Sequence, residues 1–306
     1  MSKKKLALRA ARPSLTIFFL LTGFPTMIID GRVLAKEVLA RTEARASRLA
    51  RAPRVLAIVT SETLATKSYL RIKERRAADA GCVLEVMRFP EDTSTEELVA
   101  AVRAATAEAV IVQLPLAAGI DTKQVRDAIP LTKDADVLSS AAREKFERGD
   151  ADALLPPVVA AVREIFEKNA VDVKGKRAVV LGAGFLVGTP IAAWLAEQGA
   201  EVQTLTIETG RDEVAAALRA AAIIVSGVGS PHLITPDMPS PGVVLIDAGT
   251  SELGGEVVGD ADPACAGVAS LFTPVPGGVG PLAVACLFEN VVSLAGRGQP
   301  EETTHS

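Results

Sequence analysis

Short apolar runs alternate along this chain with longer stretches in which apolar residues recur every three or four positions. Arg54–Thr60 (RVLAIVT), Ala109–Gln113 (AVIVQ), Lys176–Leu181 (KRAVVL), Ile223–Ser226 (IIVS) and Val243–Asp247 (VVLID) are almost continuous in Val, Ile, Leu and Ala. Runs of that length predict strands covered on both faces, as in a parallel sheet. Cys82–Phe89 and Glu201–Thr206 read as further strands. Between them, Val33–Leu49 puts Leu34, Val38, Leu39 and Ala46 on one helical face. Lys67–Ala80 predicts a basic helix stopped by Gly81, and Ser94 opens another with Glu97 at capping-box spacing. Thr122–Ala128, a helix opened by Pro156–Pro157, Thr189–Gln198 and Val214–Ala222 complete the alternation. The series predicts an α/β fold.

Lys133–Ala153 is polar and reads as a bridge between two α/β domains. Residues 27–153 form the first. Residues 154–281 form the second, a Rossmann-like, doubly wound parallel sheet of the dinucleotide-binding type. An apolar helix follows at Leu282–Leu294, and residues 297–306 read as a disordered tail. Met1–Arg12 is basic without acids, and Ser14–Phe24 is an apolar run too short to span a bilayer. No small-x-small cleavage site follows, so residues 1–26 are expected to be an extension outside the fold rather than a targeting segment. No later stretch reads as transmembrane.

Composition narrows the function. The chain has 306 residues, enough for two cores, and a net charge of -4, which gives no footprint for nucleic acid. Cys82, Cys265 and Cys286 have neither metal nor disulfide spacing and fit a reducing, cytoplasmic setting. Only His232 and His305 could serve a Ser-His-Asp triad; one reads as a loop residue and the other lies in the polar tail.

Several motifs carry chemistry. Thr273–Pro281 (TPVPGGVGP) holds three prolines and three glycines, a rigid, side-chain-poor loop suited to a flat heterocycle, where the plainer reading is a turn. Gly182-x-Gly184-x-x-x-Gly188 follows a strand and precedes a helix, as a pyrophosphate-binding turn does; the third glycine comes one residue later than usual, and packing glycines are the alternative. Glu208, just past the following strand, could accept from a ribose diol, which favours NAD over NADP, or could be a solvated acid. Tyr69 and Lys73 share a helical face at i and i+4, as many surface pairs do. Gln113 ends a buried strand, where an open α/β sheet presents side chains to its crevice. Asp134 and Asp136 could bind a ring N–H edge, or cap a helix.

Together Tyr69-x-x-x-Lys73, Val112-Gln113-Leu114-Pro115-Leu116, Lys133-Asp134-x-Asp136, Gly259-Asp260 and Pro274–Pro281 resemble the bifunctional methylenetetrahydrofolate dehydrogenase/cyclohydrolase family, in order from about Met27 to about Gly296. The resemblance implies two α/β domains around a cleft, a terminal helix (about 282–296) packing back on the first, and a homodimer with no membrane partner. It implies oxidation of 5,10-methylenetetrahydrofolate with NADP or NAD, then hydrolysis of the methenyl form to 10-formyltetrahydrofolate. It makes Lys73 the catalytic lysine, held by Gln113, with Tyr69 stacked on the folate and Asp136 on the pterin edge. Pro276, Gly277, Gly278 and Pro281 would shape the substrate site. Gly182, Gly184, Phe185, Leu186, Val187, Gly188, Glu208 and Gly229 would form the cofactor site. Departures cluster near the cofactor and hinge. Ala183 and Ile207 replace an arginine and a serine that commonly meet the NADP phosphate, and Val137, Ala142, Val158–Val159 and Ala283 replace other family residues. The alternatives are a cyclohydrolase alone, another two-domain dehydrogenase of the amino-acid or shikimate type, and a nucleotide-sensing binding module.

Overall fold

The computed structural model describes residues 26–60 and 64–297, with backbone alone at 64–69, together with the backbone of residues 17 and 18. In chain order the elements are β1 (Ile17–Phe18), β2 (Thr26–Ile28), α1 (Gly31–Ala46), β3 (Arg54–Val59), α2 (Leu64–Asp79), β4 (Val83–Arg88), α3 (Thr95–Ala104), β5 (Ala109–Val112), α4 (Thr122–Asp127) and α5 (Ser140–Glu147). They continue as α6 (Pro157–Lys168), β6 (Arg177–Leu181), α7 (Gly188–Glu197), β7 (Glu201–Leu205), α8 (Arg211–Ala220), β8 (Ile223–Ser226), β9 (Val243–Asp247), β10 (Ser251–Leu253), β11 (Glu256–Val258), β12 (Ala269–Phe272) and α9 (Val279–Arg297).

Two parallel sheets form, as the apolar runs require. The first has the order β4-β3-β5. The second has the order β1-β2-β12-β9-β8-β6-β7, parallel except for β1. The chain leaves β6 for β7 on one side and returns to β8 on the other. That reversal opens a crevice above the ends of β6 and β8, the usual ligand position in such sheets.

Three expectations change. Thr26–Ile28 does not begin the first domain but adds a strand to the far sheet, pairing with Leu271 and Phe272, and Ile17–Phe18 pairs with it in turn. The segment expected outside the fold thus contributes to it, because the free backbone groups on the edge of β12 need partners. The Thr26 hydroxyl donates to Ala266 O (2.6 Å) and Ala269 O (2.9 Å), fixing the register. The rest of the N-terminal extension and the tail from 298 lie outside the described residues.

The polar bridge also contains a helix, α5, capped by Ser139 and burying Ala142, Arg143 and Phe146. The terminal helix starts at Val279 rather than Leu282, taking Pro281 into its first turn, where a missing N–H costs nothing. Val279–Arg297 is also long and apolar enough, by length and composition, to cross a bilayer, although 56% of it is buried in this fold. A helix covered on several sides is apolar around most of its circumference. It packs on α1 and α6. Arg41 of α1 ties the three together, forking onto both Glu164 oxygens at 2.9 Å and donating from Nε to Glu289 Oε1 at 2.8 Å. Asn290 donates to Ala135 O and Leu155 O, each at 2.9 Å, fastening α9 to the bridge before α5 and to the start of the second domain after it.

Candidate active site in the interdomain cleft

Lys73 lies on α2, and its Nζ donates to Gln113 Oε1 at 2.9 Å. Gln113 prolongs β5 through its N–H to Ile58 O, and its own amide nitrogen donates to Leu114 O at 2.9 Å. With its amide held at both ends, it fixes the position of the lysine nitrogen. Burial lowers the Lys73 pKa, and attraction to Asp136 partly opposes this. Burial raises the Asp136 carboxyl in the same way, offset by Lys73. The cleft therefore holds an amine whose neutral form is more accessible than in water. Tyr69 precedes Lys73 by one turn of α2, but its side chain lies outside the described residues.

The two carboxylates of the bridge have separate tasks. Asp134 is buried and accepts from Leu138 N at 2.9 Å and Ser139 N at 2.8 Å, so it builds the turn. Asp136 is only partly covered and is the one presented toward Lys73. Val137 follows at φ 55, a left-handed backbone that a β-branched residue rarely adopts. Arg143 Nε holds it there by donating to Val137 O at 2.8 Å.

The Pro-Gly loop crosses the start of α1. Gly31 N donates to Gly277 O and Gly278 N to Pro274 O, at 2.9 and 2.7 Å. Gly277 and Gly278 are buried beneath this junction, Pro276 is exposed and Pro281 is half-buried. A Cβ on Gly31 would stand 1.7 Å from Gly278 O. Gly31→Ala is therefore expected to displace the loop, lowering stability by about 2 kcal/mol in a denaturant melt and raising the KM for the folate. An unchanged melting curve and KM would show that the loop yields freely.

The glycine turn fits a pyrophosphate. Gly182 adopts φ 94, and a Cβ on Gly188 would lie 1.8 Å from Gly182 O, so neither position accepts a side chain. Gly184 faces open space. Helix α7 begins after Val187 with no side-chain cap; Thr189 N donates to Gly184 O at 3.1 Å and Pro190 carries no N–H, so the N–H of Gly188 and the positive end of the helix dipole are what the turn offers an anion. Phe185, Leu186 and Val187, together with Gly227 beyond β8, face Leu114, Thr122 and Arg126 of the first domain across a cavity. Glu208 sits exposed in the turn after β7, its N–H on Thr206 Oγ1, and Ile207 beside it is 88% exposed.

Three features escaped the sequence reading. Asp260 organises the loop carrying Gly229: its carboxylate accepts from Ser226 Oγ (2.6 Å), Val228 N (2.7 Å) and Ser230 N (2.8 Å). Asp247 lies beside it, accepting from Asp260 N and Ala261 N, and burial pushes its carboxyl up to about 6. The Gly259-Asp260 match was the only signal for this pair. The Phe185 ring lies between two guanidinium groups, Arg126 at 3.8 Å and Arg143 at 4.4 Å from its centroid. Arg32 rests against Gly277 at the folate loop. Nothing in the local sequence marks these arginines.

A glycine turn at a sheet switch point, across a cavity from Leu114 next to the Gln113 that holds Lys73, is the arrangement of a two-domain α/β dinucleotide-binding fold. Residues 29–136 match the catalytic domain of tetrahydrofolate dehydrogenase/cyclohydrolase, and residues 156–299 match its NAD(P)-binding domain. The "Bifunctional protein FolD" of Moorella thermoacetica is 38% identical over 282 residues, covering 89% of this chain and 100% of that relative. The crystal structure of the bifunctional FolD enzyme of Campylobacter jejuni superposes with a TM-score of 0.85 at 28% identity, over 89% of this chain and 99% of that one. The Trypanosoma brucei enzyme, solved with NADP and an inhibitor, superposes with a TM-score of 0.83 at 30% identity, over 89% and 98%. This chain belongs to the tetrahydrofolate dehydrogenase/cyclohydrolase family.

Proposed function

We propose that this cleft carries two steps of one-carbon folate metabolism in turn. The first is oxidation of 5,10-methylenetetrahydrofolate with NAD(P)+, and the second is hydrolysis of the methenyl product to 10-formyltetrahydrofolate. The Lys73–Gln113 bond beside Asp136 is the observation that supports this most directly. The turn at Gly182, Gly184 and Gly188 would hold the dinucleotide, which would supply the hydride acceptor when bound. The protein's part in that step is orientation, with the Pro-Gly loop and Tyr69 holding the folate and Asp136 its pterin edge. In hydrolysis, Lys73 takes a proton from the water attacking the methenyl carbon. The ring nitrogen receives a proton as its bond to that carbon breaks, and one proton goes to solvent. Burial suits the lysine to this, since a fully charged amine cannot accept a proton.

The test mixes the protein with methylenetetrahydrofolate and either cofactor, follows methenyl absorbance, and then follows decay of added methenyl compound. Cofactor-dependent formation and enzyme-accelerated decay are expected. Decay without formation would leave a cyclohydrolase alone, and neither signal from folded protein would remove the reading.

Glu208 and the absence of a basic residue within Gly182–Gly188 support NAD as the preferred cofactor. The kcat/KM with NAD is expected to exceed that with NADP, and Glu208→Ala to lower the NAD value about tenfold, as for a hydrogen bond to a charged group. Preference for NADP in the wild type would sink this assignment. The resemblance supports a homodimer. The free, buried Cys82, Cys265 and Cys286 support a reducing, cytoplasmic setting.

A further inference from the structure

Gly182–Gly188 contains no basic residue, so any cation that meets a dinucleotide's phosphates must come from elsewhere in the fold. Two guanidinium groups reach the turn from the first domain, Arg126 from α4 and Arg143 from α5, both on the Phe185 ring. They are not equivalent. Arg143 is buried and committed to backbone, with Nε on Val137 O (2.8 Å) and Nη2 on Phe185 O (2.9 Å). Arg126 is half-buried and lines the cavity facing Gly184–Val187 and Gly227. Among the described residues its only hydrogen bond is from Nε to Thr122 O at 3.3 Å, within its own helix. Its two terminal nitrogens are left for a partner.

Asp127, Asp121 and Asp134 attract the Arg126 charge without hydrogen-bonding it, and burial works against that charge, since it has lost part of its water shell. Stacking on Phe185 returns some of that and fixes the plane of the group. The open donors then form a rigid fork suited to two phosphate oxygens. The facing surface is the start of α7, whose positive dipole end and Gly188 N–H favour an anion.

We propose that Arg126, held by Phe185, donates across the cleft to the pyrophosphate of the bound dinucleotide, so that the first domain supplies the cation absent from the glycine turn. This rests on the dinucleotide reading above. Arg126 is then a cofactor-binding residue, and Phe185 positions it.

The test is direct binding without turnover: calorimetric titration of the full chain with ADP-ribose, adenosine, NAD and NADP. Arg126→Gln should weaken ADP-ribose, NAD and NADP alike, by about tenfold or more, while adenosine affinity moves less than twofold, which also reports a native fold. Phe185→Leu leaves the guanidinium but removes its platform and should give a smaller loss for the same three ligands. ADP-ribose affinity within twofold of wild type in Arg126→Gln overturns the proposal. A loss confined to NADP also overturns it, by moving the contact to the 2′-phosphate. Wild-type protein that binds none of the three overturns the cofactor reading itself.

Discussion

Lys73→Ala should slow methenyl hydrolysis by about 10³-fold, within the range for removal of a positioned acid–base group, while folate still binds. Gln113→Ala should cost less, because the amide only holds the amine in place. The pH profile provides the sharper check. Hydrolysis needs Lys73 without its proton, so kcat should climb with pH, and burial starts the climb below the usual lysine range. Asp136 attracts the ammonium and opposes that shift. Removing its charge in Asp136→Asn should therefore move the midpoint of the climb to lower pH. Hydrolysis by Lys73→Ala within tenfold of wild type would remove the lysine from the mechanism, and a midpoint that stays in place would separate it from Asp136.

The second large effect falls on a residue that touches neither proposed ligand. Asp260 is completely buried and accepts from the Ser226 hydroxyl at the end of β8 and from two backbone N–H groups of the loop that follows. Asp260→Ala leaves all three donors without a partner. At roughly 1–3 kcal/mol for each buried donor left unsatisfied, with part relieved by water, the expected loss is about 3–5 kcal/mol. Chemical denaturation would measure it. Dinucleotide affinity should fall as well, because Gly227 and Gly229 would no longer be held at the crevice. A loss below 1 kcal/mol would mean the loop is fixed by its packing instead.

Much of this architecture could be read from local pattern. Four of the buried strands, from RVLAIV to VVLID, are apolar on both faces, and only a parallel sheet covered on both sides accommodates them. Lys73 and Gln113 were legible because each belongs to a short motif whose register fixes where it points. What the sequence hides is pairing over distance. Met27-Ile28 looks like the opening strand of the domain it precedes, yet the edge it joins lies more than 240 residues away. Arg126 and Arg143 look like ordinary surface arginines on short helices, and only the approach of the second domain sets Phe185 between them. Gly259-Asp260 was visible as a motif without its purpose, since its three donors come from the end of β8 and the loop after it.

The route of the chain has an implication for engineering. Each half of this protein is completed by sequence from the other: β2 precedes the first domain but lies in the second sheet, whereas α9 follows the second domain and lies against α1. Neither catalytic half is a portable cassette. Residues 29–136 moved to another host would carry α1 with its α9 contact face bare, and residues 156–297 would leave the β12 edge open. A chimaera that exchanges the cofactor half with a relative must therefore carry across the opening strand and leave α9 behind, making three junctions where a linear map of the domains suggests one.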